Sequence, residues 1–310
     1  MKSWPDSIRG RFARWEVVVE PDRDEAEWWA GAPSVVRDDD GVFWMAARMR
    51  TADSPLGMRG YEIRILRSED GIRFQPAHSI RREDVPIAGF ERPALLRDPA
   101  TGAFRLYGCG PIDGAWRIVR FEDAVRPDAF VPSSAHVVIE PLPREPLGPA
   151  LPTQYKDPVV AFVHGAFHCW AIGVLGNERL FHFVSMDGEK WKPVGHPSSS
   201  LLPLSGWHTH SVRPASLLPV GIGWLFVYEG SSSAWDDPSY NNVTGLAFTF
   251  DLHTLVDLTP DEPLLVSPTP GRLQAWRYSH WMWVGDELRV YAEVEKANGA
   301  HEIRLFRVTR

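Results

Sequence analysis

Two cysteines in 310 residues, Cys109 and Cys169, leave neither a disulfide framework nor a zinc-type spacing. Both stand inside apolar runs ("LYGCG", "HCWAIG"), where buried free thiols are expected. Long apolar runs are also missing. No segment approaches the roughly 18 apolar residues of a membrane span, and the opening "MKSWPDSIRGRFARWEVVVE" lacks the apolar stretch of a signal peptide. A cytoplasmic chain with no membrane partner is therefore expected. There is no surplus of positive charge either: 33 Lys and Arg against 40 Asp and Glu give −7. That balance argues against a general nucleic-acid partner and leaves room only for a local basic site. No glycine-rich phosphate loop, Ser-His-Asp elbow or nucleotide fingerprint occurs, and no cofactor is expected. The partner is expected to be a small molecule.

What the chain does have is an ordinary globular composition, 44% hydrophobic and 24% charged, and a repeat. "AGAPSVV", "FERPALL", "YKDPVVA" and "SVRPASL" align on Pro33, Pro93, Pro158 and Pro214, and "YSHWMWV" puts His280 in the same place, at spacings of 56 to 66 residues. Each copy continues through a Gly- or Asp-bearing turn into a second strand ("GVFWMAARM", "GAFRLYGCG", "GAFHCWAIG", "GWLFVYEGS", "DELRVYAEV"). Most go on to a third alternating strand, and helical periodicity is nearly absent. Five in-phase antiparallel units predict an all-β, five-bladed β-propeller, with blades at roughly 27–85, 86–145, 150–200, 207–262 and 272–310 and the N-terminal segment closing the last blade. A pair of stacked sandwiches is the alternative, but it gives no reason for the repeat.

Asp and Pro are poor strand material, so the Lys156-Asp157-Pro158 opening of the third unit belongs at the end of an inner strand, where blades converge. The residues just before the prolines, or before the fifth-copy stand-in, are Ala32, Arg92, Asp157, Arg213 and Ser279. The residues one further back are Gly31, Glu91, Lys156, Val212 and Tyr278. Strand side chains alternate, so the first column sets Asp157 between two arginines, a setting that favours a carboxylate over a proton donor.

The pattern resembles the five-bladed propeller glycosidases and glycoside phosphorylases, the superfamily of glycoside hydrolase families 43, 32, 68, 117 and 130. The resemblance rests on "KDP" before an inner strand, on "RSEDGIRF" and "VSMDGEKW" as third-strand turns, and on "GWLFVYEG", which looks like a stretch of the mannoside phosphorylases. It implies carboxylates on inner strands of different blades, one to protonate the leaving oxygen and one, or an added phosphate, to supply or activate the nucleophile. In family 43 the base, the tuning Asp and the acid come from the first, third and fourth blades. Asp157 matches the third. Ala32 stands where the base would be and Arg213 near the expected acid, while "ERP" only approximates the "RDP" of families 32 and 68.

The resulting expectation is a glycosidic-bond enzyme, hydrolase or phosphorylase, in which Asp157 is base, nucleophile or orienting group and Glu91 is the preferred acid, with Glu229 and Glu27 as rivals. Arg92, Lys156, Arg213, His208, His210 and His280 would bind an anion, either phosphate or a charged sugar. Trp28, Trp29, Trp207 and Trp235 would form an aromatic rim, and the tryptophans inside strands would be core. The bland counterpart is an ion network of Arg92, Asp157 and Arg213 plugging the axis. The histidines could instead hold a metal, but no acid-rich spacing supports one. A silent propeller binding a sugar or acidic metabolite, or one recruited to elimination or cyclisation, is the functional alternative.

Overall fold

In the computed structural model, described for residues 8–53, 59–143 and 148–309, the chain is all-β, as predicted, and it is a β-propeller built of consecutive antiparallel meanders. Residues 1–7, the turn at 54–58 in the first repeat, residues 144–147 at the end of the second, and residue 310 lie outside the described set. The chain gathers into two compact units, residues 34–203 and residues 1–33 with 204–310.

The 34–203 unit holds three meanders. The first is β2 (Trp28–Arg37), of which residues 34–37 belong here, followed by β3 (Phe43–Thr51), β4 (Gly60–Ser68) and β5 (Gln75–Arg81). The second is β6 (Ala94–Arg97), β7 (Phe104–Ile112), β8 (Ala115–Arg120) and β9 (His136–Ile139). The third is β10 (Tyr155–Val163), β11 (Ala166–Leu175), β12 (Asn177–Ser185) and β13 (Lys192–Pro193). The central strands are covered on both faces, with every residue of β3 and the first seven of β7 buried, and two apolar cores result. One gathers Trp44, Ile63, Phe90, Leu106 and Phe121, and the other Tyr107, Ile118, Tyr155, Phe167 and Phe183.

The other unit holds β14 (Ser211–Pro219), β15 (Trp224–Ser231), β16 (Val243–Thr249) and β17 (Val256–Asp257), then β18 (Trp276–Val284), β19 (Glu287–Glu295) and β20 (His301–Thr309). The N-terminal β1 (Glu16–Val19) pairs antiparallel with β20, Glu16 opposite Leu305. Phe12, Trp276, Trp281 and Phe306 centre its core.

Two sequence signals have local physical causes. The third-strand turns close on their own Asp. Gly188 N–H donates to Ser185 Oγ (2.9 Å), and Glu189 and Lys190 N–H donate to Asp187 Oδ1 (2.9 and 2.8 Å). Ser68-Glu69-Asp70-Gly71 repeats the device, as does Thr249-Phe250-Asp251-Leu252. Two of the three copies end in glycine, and Gly188 (φ 74°) has the left-handed φ that glycine adopts without steric cost. The inner-strand prolines coincide with bulges: pairing slips between Lys156 and Val159 in β10 and between Pro214 and Ser216 in β14. β18, which has no proline, slips between Arg277 and His280. Proline cannot donate to the ladder, so a bulge is where it fits.

Candidate functional site

At the bulges of β10 and β18 the backbone leaves its ladder, and Asp157 and Tyr278 take left-handed φ values of 53°, as Ala32 in β2 does at 51°. Such backbone is costly for residues other than glycine and persists where its surroundings hold it. Three inner-strand N–H groups there are received by carboxylates. In the 34–203 unit, Arg92 N–H donates to Asp157 Oδ1 at 3.2 Å. In the other unit, Ala32 N–H donates to Glu293 Oε2 at 3.0 Å and Ser279 N–H to Glu229 Oε1 at 3.2 Å. Asp157, Glu229 and Glu293 are all buried.

Within the 34–203 unit, Asp157 and Glu91 are the centre of a charged cluster. Cys109 on β7 touches Asp157 twice: its Sγ lies 3.6 Å from Oδ1 and accepts Asp157 N–H at 3.2 Å. Burial, reinforced by the Asp157 charge, pushes the Cys109 thiol well above the ordinary range, so the group stays a neutral thiol. Glu91 is gripped by the Arg48 guanidinium and lies 3.4 Å from Arg59 and 3.9 Å from Arg50. The Arg59 guanidinium stands 5.1 Å from the Trp116 ring centre and the Lys156 ammonium 5.6 Å from it, while Lys156 pairs with Glu178 at 2.5 Å. The four cations Arg48, Arg50, Arg59 and Lys156 thus stand in a cluster with three carboxylates, Glu91, Asp157 and Glu178.

Glu91, the acid expected from the sequence, therefore stands among three guanidiniums, Arg48, Arg50 and Arg59. Arg92 is buried, and its backbone N–H donates to Asp157.

In the other unit, Arg213 lies directly opposite Glu229 in the β14–β15 ladder, and its guanidinium donates to Ser239 O at 3.1 Å. Arg277 lies opposite Glu293 in the same way and binds it through Nε at 2.9 Å. Glu293 also receives His301 Nδ1 at 2.8 Å, and His301 lies flat on Trp29, ring centres 4.0 Å apart. A Cβ on Gly31 would land on the Glu293 carboxylate, so the carboxylate from β19 fills the space left by the glycine.

Three of the four expected rim tryptophans are core. Trp28 packs against Arg23, with the guanidinium 4.6 Å from the ring centre, and Trp29 donates its indole N–H to Gly299 O. Trp207 donates to Thr259 O at 2.6 Å and stacks on Tyr228. All three are buried, because rings this large at strand ends find partners for both face and N–H. Trp235 alone of the four is half-buried and lines a cavity.

His208 is fully buried against Asp257, 3.2 Å from its Nε2, which removes it from the expected anion binders. Although burial raises the Asp257 acid, hydrogen bonds from His208, Thr259 N–H and Tyr228 bring it below the usual carboxylate range. His210 and His280 are half-buried, Glu27 is exposed with φ 67°, and no group of three or more possible metal ligands occurs among the described residues.

The sequence reading missed Arg48, Arg50, Arg59, Trp116, Cys109, Arg277 and Glu293. The second-strand column would have found Cys109 and Glu293. Arg277 was passed over because the fifth copy has no proline to fix its phase.

No family model matches the chain, and no curated protein matches it in sequence. Solved structures do match. A glycoside hydrolase superposes with a TM-score of 0.74 at 11% identity, covering 100% of this chain and 96% of its own. The beta-1,2-mannobiose phosphorylase of Listeria innocua, in complex with beta-1,2-mannobiose, gives 0.66 at 14%, covering 94% and 92%. The GH43_1 enzyme of Xanthomonas citri, complexed with xylotriose, gives 0.63 at 13%, covering 98% and 93%. At these identities the likeness is one of fold, which the chain shares with a glycoside hydrolase, a mannobiose phosphorylase and a GH43_1 enzyme.

Proposed function

We propose that the protein is a carbohydrate-active enzyme that cleaves a glycosidic bond in a substrate bearing negative charge, or with phosphate as the second substrate. The observation that carries this reading is the local gathering of Arg48, Arg50 and Arg59 around Glu91, with Arg59 and Lys156 both beside the Trp116 ring. Arginine offers paired donors suited to carboxylate and phosphate, and lysine a mobile point charge, so Arg50, Arg59 and Lys156 are assigned to the anion. Asp157, held on a strained bulge by Arg92 N–H and Cys109, is assigned as the carboxylate that activates or orients the nucleophile. The fold shared with a mannobiose phosphorylase and a GH43_1 enzyme supports sugar as the substrate class.

The test is a panel of aryl glycosides, neutral and uronic, assayed with and without phosphate for released aglycone. Release of aglycone that needs either a charged sugar or added phosphate supports the assignment. Release from neutral glycosides alone, indifferent to phosphate, contradicts the role given to the cations.

A second reading has its own observation. The carboxylates of Asp157, Glu229 and Glu293 each receive an inner-strand N–H, a recurring device that would serve a catalytically silent propeller binding a sugar or acidic metabolite equally well. Binding of a sugar acid without turnover of any glycoside would favour it over elimination, cyclisation or hydrolysis.

A further inference from the structure

The Ser-rich loop "EGSSSAWDDPSYNN" (229–242) is not absorbed by the charged cluster, and it carries a separate feature. Trp235, Asp236, Asn241, Val243, Val266 and Gln274 line a cavity of about 340 Å³, at the small end of the range of ligand pockets. All six belong to the unit that contains residues 204–310.

Its aromatic wall is fixed in advance. The Trp235 ring is nearly parallel to Trp207 (16°, centres 6.3 Å apart), and Trp207 is nearly parallel to Tyr228 (14°, 5.8 Å). The column is locked at its middle by the 2.6 Å hydrogen bond from Trp207 to Thr259 O and at its base by Tyr228 Oη donating to Asp257 Oδ1 at 2.8 Å. The loop is tied down as well. Arg213 and Asn242 side chains both donate to Ser239 O (3.1 and 3.0 Å), and Trp276 N–H donates to Asn242 O at 2.9 Å.

Around this ring the chemistry is that of hydroxyl recognition. Asp236 supplies acceptors, and Asn241 and Gln274 supply both donors and acceptors. Among the described residues these three side chains make no hydrogen bond to the protein. Among the described residues the lining carries one carboxylate, Asp236, and no cation, and Arg272 is paired with Asp237 at 3.5 Å. An indole face beside amides and a carboxylate suits a ring with an apolar C–H face and an equatorial fringe of hydroxyls, and it repels anions. A rigid platform lowers the ordering cost of binding.

We propose that this cavity is a subsite for a neutral sugar ring, stacked on Trp235 and hydrogen-bonded by Asp236, Asn241 and Gln274. The inference rests on the carbohydrate reading above and adds to it a position for a neutral sugar unit within the unit that contains residues 204–310. The test is calorimetric titration, with Trp fluorescence in parallel, of the full chain with xylotriose, mannotriose, cellotriose and trigalacturonate. Binding of at least one neutral trisaccharide is expected, weakened tenfold or more in Trp235→Ala, less in Trp235→Phe, and severalfold in the surface double variant Asn241→Ala/Gln274→Ala. Asp157→Asn should bind it as the native protein does, so a failure of the catalytic reading leaves this result standing. The proposal is overturned if no neutral trisaccharide binds, if trigalacturonate alone binds, or if the neutral ligand binds folded Trp235→Phe and the double variant with native affinity.

Discussion

Replacing Gly31 by alanine should unseat Glu293. Gly31 has an ordinary φ, so alanine meets no backbone strain, and the entire cost comes from a methyl group placed on the Glu293 carboxylate. That carboxylate holds three donors, Ala32 N–H at 3.0 Å, Arg277 Nε at 2.9 Å and His301 Nδ1 at 2.8 Å, and both Arg277 and Glu293 are buried. Hydrogen bonds to charged groups contribute about 1.5–3 kcal/mol each. Losing all three would exceed the roughly 3–5 kcal/mol seen when a buried ion pair is broken, and a carboxylate that only shifts keeps part of its bonding, so about 3–5 kcal/mol is expected. Urea unfolding followed by tryptophan fluorescence reads it, with Trp29, stacked on His301, a nearby reporter. Glu293→Asp shortens the side chain by one methylene and returns space to the methyl group. In that background Gly31→Ala should therefore cost at least about 1 kcal/mol less, beyond the roughly 0.5 kcal/mol within which independent sites add. A loss below about 1 kcal/mol for Gly31→Ala, or strict additivity with Glu293→Asp, would refute the reasoning.

Three further outcomes follow from the same structure. Glu91→Gln leaves Arg48, Arg50 and Arg59 facing a neutral amide, so it should destabilise by about 3–5 kcal/mol in urea; a change under about 1 kcal/mol would show that the arginines do not depend on Glu91. Asp187→Ala deletes the acceptor of two turn N–H groups and should cost about 0.5–1.5 kcal/mol. Those N–H groups, Lys190 first and then Glu189, lower the Asp187 acid from 3.8 to about 2. Its contribution is therefore complete above pH 3.8 and lost as pH falls towards 2, and a variant whose deficit is unchanged from pH 6 to pH 2 would contradict that. Cys109 and Cys169 are buried with their thiols pushed up by that burial, so Ellman's reagent at pH 8 should label the native protein far more slowly than the unfolded chain; equal rates would place the thiols in water.

The repeat was legible because prolines recur at one place in four of the units, two of them at bulges: aligning Pro33, Pro93, Pro158 and Pro214 sets the phase of four repeats, and the fifth follows from spacing. The turns were legible because Asp70-Gly71 and Asp187-Gly188 close locally, with both partners inside a few residues. The partners of Glu91 were not. Arg48, Arg50 and Arg59 stand 32 to 43 residues away, on another meander of the same unit, and a column read down the inner strands cannot include them. The tryptophans misled for a related reason. Strand-end position predicts a rim, but Trp29 and Trp207 are turned inward by backbone carbonyls at Gly299 and Thr259, distant acceptors that the local sequence does not announce.

The most direct test of the central claim is turnover by Asp157→Asn. The amide keeps an oxygen for Arg92 N–H, which donates to Asp157 Oδ1 at 3.2 Å, so the bulge and the fold should persist while the charge is lost. On the aryl glycoside that the native protein cleaves, aglycone release should fall by about 10² or more, the range that a general acid or base supplies, with an unchanged unfolding curve. A folded variant that releases aglycone at the native rate would contradict the account and make Asp157 a clamp for the inner strand.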